Sequence, residues 1–393
     1  MSPTISLENH LQRLNGNKLK LALEQLILQK QQAGLYRQRQ IAADKSSMLC
    51  FSSNDYLSLA NDLRLKSAYQ QGFARHAVGS GGSMLVCGYH AAHRSLEQSF
   101  ARALNVDDCL FFSSGYAANL SVASILSELN TLILLDQGMH ASMYDGLRLA
   151  GADYTRYRHH NLSDLEKKLQ ANRSAGVLLT ESVFSMSGQI SDLAKLCSLV
   201  QPHAHSLIVD EAHAFGVLGF EGLGGVMQAN LTQHDVPLRV IPLGKAFAAF
   251  GAIVAGDGVW IDALLQVARP YIYSTAVSPA VAYGLAETLQ VMRAADARRA
   301  KLTALVSYFR AKILASTLIW RESYSPIQQL KLGCPLRALH YASCLKAQGI
   351  ICLPMRSPTV NRQDTGLRVI LNYDHEIEHI DQLFKCLAEI EHA

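Results

Sequence analysis

An α/β fold built around a mainly parallel sheet is what this sequence predicts, and two patterns predict it. Between about residues 110 and 254, short apolar runs alternate with amphipathic stretches of helical length. Runs that are apolar throughout belong to strands buried on both faces, and helical crossovers between such strands make neighbours parallel. After about Val277 the texture shifts to longer helical stretches and shorter strand candidates, which predicts a smaller C-terminal α+β region.

The first element is a helix over Leu7–Ala33, where leucines recur among polar residues with no proline. A basic polar stretch, Tyr36–Gln40, separates it from a strand-like run at Met48–Ser52. The sheet candidates follow at Cys109–Phe112, Thr131–Leu135, Val177–Thr180, Leu207–Val209, Leu238–Ile241 and Ala252–Ala255. Helical stretches between them include Leu120–Leu129 and Leu162–Leu169. A long helical stretch, Ala280–Ser316, leads to strand candidates at Thr317–Trp320, Ile327–Leu332, Ile350–Leu353 and Leu367–Leu371. Helices are expected near Arg337–Ala347 and His375–Ala388. The expected organisation is an N-terminal helical arm (1–45), a large domain (46–285) and a small C-terminal domain (286–393), with no internal repeat.

Composition narrows the function class. Of 393 residues, 49% are hydrophobic and only 17% charged, which excludes a disordered or nucleic-acid-coating chain. The formal charge of +4 is too mild to point to a polyanionic partner. None of the eight cysteines forms a CxxC pair, so neither a zinc site nor a disulfide framework is expected, and a reducing cytoplasm is. Met1–His10 has no basic segment followed by an apolar run, and the most apolar window, Ala246–Ala255, is too short to span a bilayer.

Lys245 is the only charge between Val240 and Ala255. Burial lowers a lysine's pKa and yields the nucleophilic amine that Schiff-base chemistry needs. A lysine on an exposed turn beside Gly244 is the alternative. Asp210 closes the apolar run Leu207–Val209, where a carboxylate can either pair with a pyridinium nitrogen or cap a helix. His213 lies three residues further on. The tetrapeptide Asp210–His213 also matches a helicase-type box, but that reading needs an upstream GxxxxGK[ST] loop, which is absent. Phe112-Ser-Ser-Gly-Tyr-Ala-Ala-Asn119 turns from a strand into a helix, and free amides at a helix start suit a phosphate. Gly79-Ser-Gly-Gly-Ser83 is not a dinucleotide fingerprint, because Met84 stands in the last glycine's place. Asp136, Glu181 and His140 follow other strand ends, where ligands of such sheets bind. Arg368, in an apolar strand, asks for an anionic partner, either a buried carboxylate or a substrate.

From about Phe51 to the C-terminus the chain resembles the α-oxoamine synthases, pyridoxal-phosphate enzymes of the aspartate-aminotransferase fold. The resemblance rests on Phe51-Ser-Ser-Asn-Asp-Tyr-Leu57, Gly79–Ser83 with His93–Glu97, Phe112–Asn119, Asp136–Ser142, Glu181–Gly188, Val209–Gly216, Gly244-Lys245 and Tyr273–Pro279, all in family order. It implies a large domain with a mainly parallel seven-stranded sheet. It also implies roles: Lys245 as the Schiff-base lysine, Asp210 at the pyridine nitrogen, His213 at the phenolate oxygen and His140 over the ring face. Gly115 and Tyr116 would hold the phosphate, with Thr275 from a neighbouring subunit of a homodimer. Ser185 would lie near the cofactor, and Asn54 and Arg368 would bind the amino acid. The segments Phe51–Leu57, Tyr273-Ser-Thr275 and Ser357-Pro-Thr-Val360 look most like members that condense L-alanine with a pimeloyl thioester, of coenzyme A or a carrier protein, in biotin biosynthesis. Sister members use another amino acid or acyl chain. Two residues depart from the pattern: Pro242 replaces a phosphate-binding hydroxyl residue, and Met84 an arginine. No metal, membrane or nucleic acid is implied.

Overall fold

The computed structural model describes residues 7–33, 35–37, 39, 41, 48–172, 174–357 and 360–392. Pro358 and Thr359 of the Ser357–Val360 segment, and Gln38 and Gln40 of the basic stretch, lie outside the described residues. The chain divides into two compact units, residues 1–48 and 49–393. The first holds helix α1 (Leu7–Gln32), which exposes Leu19, Leu23 and Leu26.

The second unit opens with strand β1 (Leu49–Cys50) and helices α2 (Leu63–Arg75) and α3 (Ala91–Leu104). Then come β2 (Asp108–Phe112), α4 (Gly115–Glu128), β3 (Leu132–Asp136), α5 (Ala141–Ala150) and β4 (Thr155–Tyr157). Next are α6 (Leu162–Ala171), β5 (Gly176–Glu181), α7 (Leu193–Val200), β6 (His205–Asp210) and α8 (Gly225–Gln228). Strands β7 (Leu238–Pro242) and β8 (Ala252–Gly256) precede α9 (Gly258–Val267), α10 (Arg269–Ile272), α11 (Pro279–Arg293) and α12 (Asp296–Leu314). The chain ends with β9 (Ile327–Lys331), α13 (Pro335–Ala347), β10 (Ile350–Ile351), β11 (Leu353–Met355), β12 (Gly366–Ile370) and α14 (Ile377–His392).

Seven strands form one sheet in the order β2-β8-β7-β6-β5-β3-β4. Its two faces feed two separate cores. Ile133, Leu135, Val177, Leu179 and Ile208 join the main core, whereas Leu134, Leu178, Leu207 and Val209 pack with Leu165 and Leu196 of α6 and α7. That strict alternation is the two-sided burial expected of runs without polar interruptions. The sheet is not parallel throughout: β8 runs antiparallel to both β2 and β7. All other pairs are parallel, so the carboxyl ends of β2, β3, β5, β6 and β7 share one rim with the amino end of β8.

Three expectations for the C-terminal part change. The helical stretch 280–316 divides at Ala294–Ala295, because Arg299 turns back and donates to the carbonyls of Met292 (2.8 Å) and Arg293 (2.6 Å) at the end of α11. Thr317–Trp320 is not a strand; only Trp320 makes a bridge, to Leu330. The run Ile350–Leu353 breaks at Cys352, so β10 pairs with β1 while β11 joins the sheet β11-β12-β9. Among the described residues, no helix is long and apolar enough to cross a membrane.

Candidate active site

The shared rim of the sheet surrounds a cavity of about 330 Å³. Six of the strand ends contribute to it: Ser113–Tyr116 after β2, His140 after β3, Glu181 from β5, Asp210 and His213 at and after the end of β6, Lys245 after β7 and Gly251 before β8. Ligands of open α/β sheets gather at this edge.

Helix α4 starts at the cavity. Its cap, Ser114, accepts from Ala117 N–H (3.1 Å), which leaves the Gly115 and Tyr116 amides free at the positive end of the helix dipole. A Cβ added at Gly115 would meet Pro242 at 2.7 Å, so only glycine lets β7 pass this close to the helix start. These amides form a cradle for a phosphate.

On the floor, Asp210 accepts from Asn119 Nδ2 and from Ala212 N–H, both at 2.9 Å. Asn119 also donates to Ser142 Oγ (2.9 Å), which lies 2.8 Å from His140 Nδ1. His140 itself caps α5 at the mouth of the cavity. Glu181 stands beside Asp210 in register, buried, with Oε1 unpartnered among the described residues. Burial pushes its carboxyl well above the usual range, and the neighbouring Asp210 charge pushes it further. Burial thus favours the neutral form of Glu181.

Lys245 is half-buried, and its amine makes no hydrogen bond or ion pair among the described residues. Loss of water lowers its pKa, although Asp210 and Glu181 pull the other way. The turn alternative, an exposed lysine, does not hold.

A second cluster adjoins the cavity. Arg368, 4% exposed, donates from Nε to the Ser185 carbonyl (2.6 Å) and from Nη2 to Asn54 Oδ1 (3.1 Å). Its partner is thus no buried carboxylate, and burial lowers its pKa. His213, 5% exposed, is kept neutral by burial and by the charges of Lys245 and Arg368.

Most of the expected site residues thus converge: Gly115, Tyr116, His140, Asp210, His213 and Lys245 line the cavity. Ser185 does not line it, and its carbonyl accepts from Arg368 in the adjoining cluster. Thr275 lines a separate small hollow with Met84, Phe112 and Ser113, and bridges to Ser83. Sequence reasoning missed Asn119, Ser142 and Tyr56. A buried asparagine on an otherwise apolar helix, as at Asn119, was the available signal.

The donor set fits pyridoxal 5'-phosphate. A phosphate cradle, a buried carboxylate opposite it, a poised amine and two neutral imidazoles match that group's anion, ring nitrogen, aldehyde and ring oxygen.

Comparison with known proteins agrees. The sequence profile of the family "aminotransferase class I and II" matches residues 46–386. An 8-amino-7-oxononanoate synthase of Marinobacter nauticus is 39% identical over 372 residues, covering 92% of this chain and 94% of its own. The solved 8-amino-7-oxononanoate synthase of Francisella tularensis superposes with a TM-score of 0.79 at 32% identity, covering 88% of this chain and 99% of that one. The Sphingomonas wittichii serine palmitoyltransferase gives 0.83 at 25% identity, covering 88% and 87%. The chain belongs to the aminotransferase class I and II family and, within it, to the pyridoxal-phosphate-dependent α-oxoamine synthases.

Proposed function

We propose that this protein is an 8-amino-7-oxononanoate synthase: it condenses L-alanine with a pimeloyl thioester, releasing carbon dioxide and the free thiol. The observation that carries the reading is the Lys245 amine, unpaired and short of water, on the same rim as buried Asp210 and the free amides of α4. The likeness to 8-amino-7-oxononanoate synthases over nine-tenths of the chain supplies the substrate pair.

The Gly115 and Tyr116 amides would hold the cofactor's phosphate, and Asp210 its ring nitrogen. When bound, that group supplies an electron-accepting ring conjugated with the substrate nitrogen. Asn119 and Ala212 hold the Asp210 carboxylate in place at the cavity floor, where it would face the ring nitrogen. Lys245 would hold the cofactor's aldehyde at rest, and its amine, when free, would take the proton from alanine Cα and later return one. Burial lowers the Lys245 pKa from its ordinary value, which favours the neutral amine. Arg368 retains donors beyond those given to Ser185 and Asn54, and these take the alanine carboxylate. His140 lies over the mouth and shields the reacting face from water.

A homodimer in the cytoplasm is part of the proposal. Val86 and Tyr273 are exposed beside the Thr275 segment, and a second copy covering them would bring Thr275 to its phosphate.

The test is product mass from L-alanine and a pimeloyl thioester of coenzyme A or carrier protein. The expected product is 8-amino-7-oxononanoate. Product formed only from another amino acid or acyl chain overturns the assignment.

A further inference from the structure

Tyr56 is fully buried, yet its hydroxyl meets three polar groups. It lies 2.6 Å from His213 Nδ1 and 3.3 Å from Asn54 Oδ1, and the charge of the nearby Arg368 guanidinium acts on it. One oxygen therefore joins the histidine at the cofactor end of the site to the pair at the substrate end. Nothing in the reading above uses it.

The proton arrangement can be worked out. Arg368 has donors only, so it offers the Tyr56 hydroxyl no acceptor. The phenol then has one proton to give, and Asn54 Oδ1 already accepts from Arg368 Nη2 at 3.1 Å. The contact to His213 Nδ1 is shorter by far than the one to Asn54. A cation near the phenolic oxygen makes it a better donor and a poorer acceptor. The proton thus points at Nδ1. A neutral imidazole that accepts at Nδ1 carries its own hydrogen on Nε2, and His213 lines the cavity.

We infer that Tyr56 is a positioning residue that fixes His213 in its Nε2–H tautomer, so that this imidazole enters the cavity as a hydrogen-bond donor to the oxygen substituent of the cofactor ring. This rests on the pyridoxal-phosphate reading. Burial acts on both partners in the same sense: it raises the Tyr56 pKa and lowers that of His213, so both stay neutral. The ties to Arg368 and Asn54 also make the histidine's orientation depend on the substrate end of the site.

The test uses the full chain, freed of cofactor and labelled with nitrogen-15, with His213→Gln to assign the resonance. The expected wild-type result is a protonated Nε2 and a hydrogen-bonded, pyridine-type Nδ1. In Tyr56→Phe, Nδ1 should move to the position of an unbonded pyridine-type nitrogen. In Asn54→Ala it should stay where it is. With pyridoxal phosphate added, Tyr56→Phe should bind about tenfold more weakly, the worth of one ordinary buried hydrogen bond. A protonated Nδ1 in the wild type overturns the inference, and that measurement needs no variant to fold. An unmoved Nδ1 in Tyr56→Phe, or unchanged cofactor affinity, overturns it as well. A wild-type chain with the expected tautomer that binds no pyridoxal phosphate would sink the functional reading alone.

Discussion

Glu181 and Asp210 end neighbouring parallel strands directly opposite each other, and the protein treats the two carboxyls differently. Asp210 has both oxygens hydrogen-bonded, whereas Glu181 keeps Oε1 buried without a partner. Two like charges this close, with little water, cannot both persist. Burial without a partner favours the neutral form at Glu181, while Asp210 keeps two hydrogen-bond donors.

Glu181→Gln should therefore be tolerated, since the amide copies a neutral acid. A carboxyl whose folded pKa is raised lends its full stability below the ordinary range near pH 4.3, and loses it as pH rises towards the folded value. Glutamine has no proton to lose. The wild type should lose more Tm between pH 5 and 8 than the variant, with the gap at pH 8 about 2–4 °C. Thermal melts of the cofactor-free proteins at both pH values decide it; parallel curves refute it.

Lys245→Ala should abolish the borohydride-stable adduct between the chain and pyridoxal phosphate. Activity should fall by at least ~10²–10⁴, the worth of one positioned acid–base group. Mass spectrometry of the reduced protein reads the first and a product assay the second. An adduct surviving in the variant would place the linkage elsewhere.

Pro242→Thr should tighten cofactor binding. The side chain sits against Gly115 at the phosphate cradle, where a hydroxyl can donate to the anion. A hydrogen bond to a charged group is worth ~1.5–3 kcal/mol, so tenfold or greater tightening is expected in a fluorescence titration. Gly115→Ala, which drives a methyl into Pro242, should do the reverse and cost about 1–3 kcal/mol of stability.

Arg368→Lys should raise the KM for the amino acid roughly 10–100-fold while leaving pyridoxal phosphate affinity within about twofold. Lysine cannot reach Ser185, Asn54 and a carboxylate at once, because it lacks the planar fork. Steady-state kinetics beside a cofactor titration separate the two. A KM unchanged by the substitution removes Arg368 from the substrate end.

The sheet was legible because its strands are apolar on both faces, as the split of Leu178 and Leu179 between two cores shows. The same property hid the direction of β8, since burial on both sides looks alike in either orientation. Helix α3 escaped because its inward face carries His93 and Glu97. Both are satisfied inside: His93 Nε2 lies 2.7 Å from the Val277 carbonyl, and Glu97 takes the Tyr89 hydroxyl (2.5 Å) and Phe111 N–H (3.0 Å). Strand β4 offers one buried residue, Tyr157, too little for a pattern. In the site, Lys245, Asp210 and Glu181 were marked by charge at the end of an apolar run. Asn119 and Tyr56 act on other side chains, and no spacing announces that.

Asn54 and Arg368 lie 314 positions apart, and the strands around them are stitched together: Phe51 N–H bonds Ile351, and Ile370 N–H bonds Phe51. During synthesis the cofactor floor has all its strands once β8 emerges. The carboxylate clamp must wait for the last strand, β12, to leave the ribosome, and long-range pairings of this kind close slowly. A nascent chain can thus own the sheet floor of its cofactor seat while still lacking any grip on its amino acid.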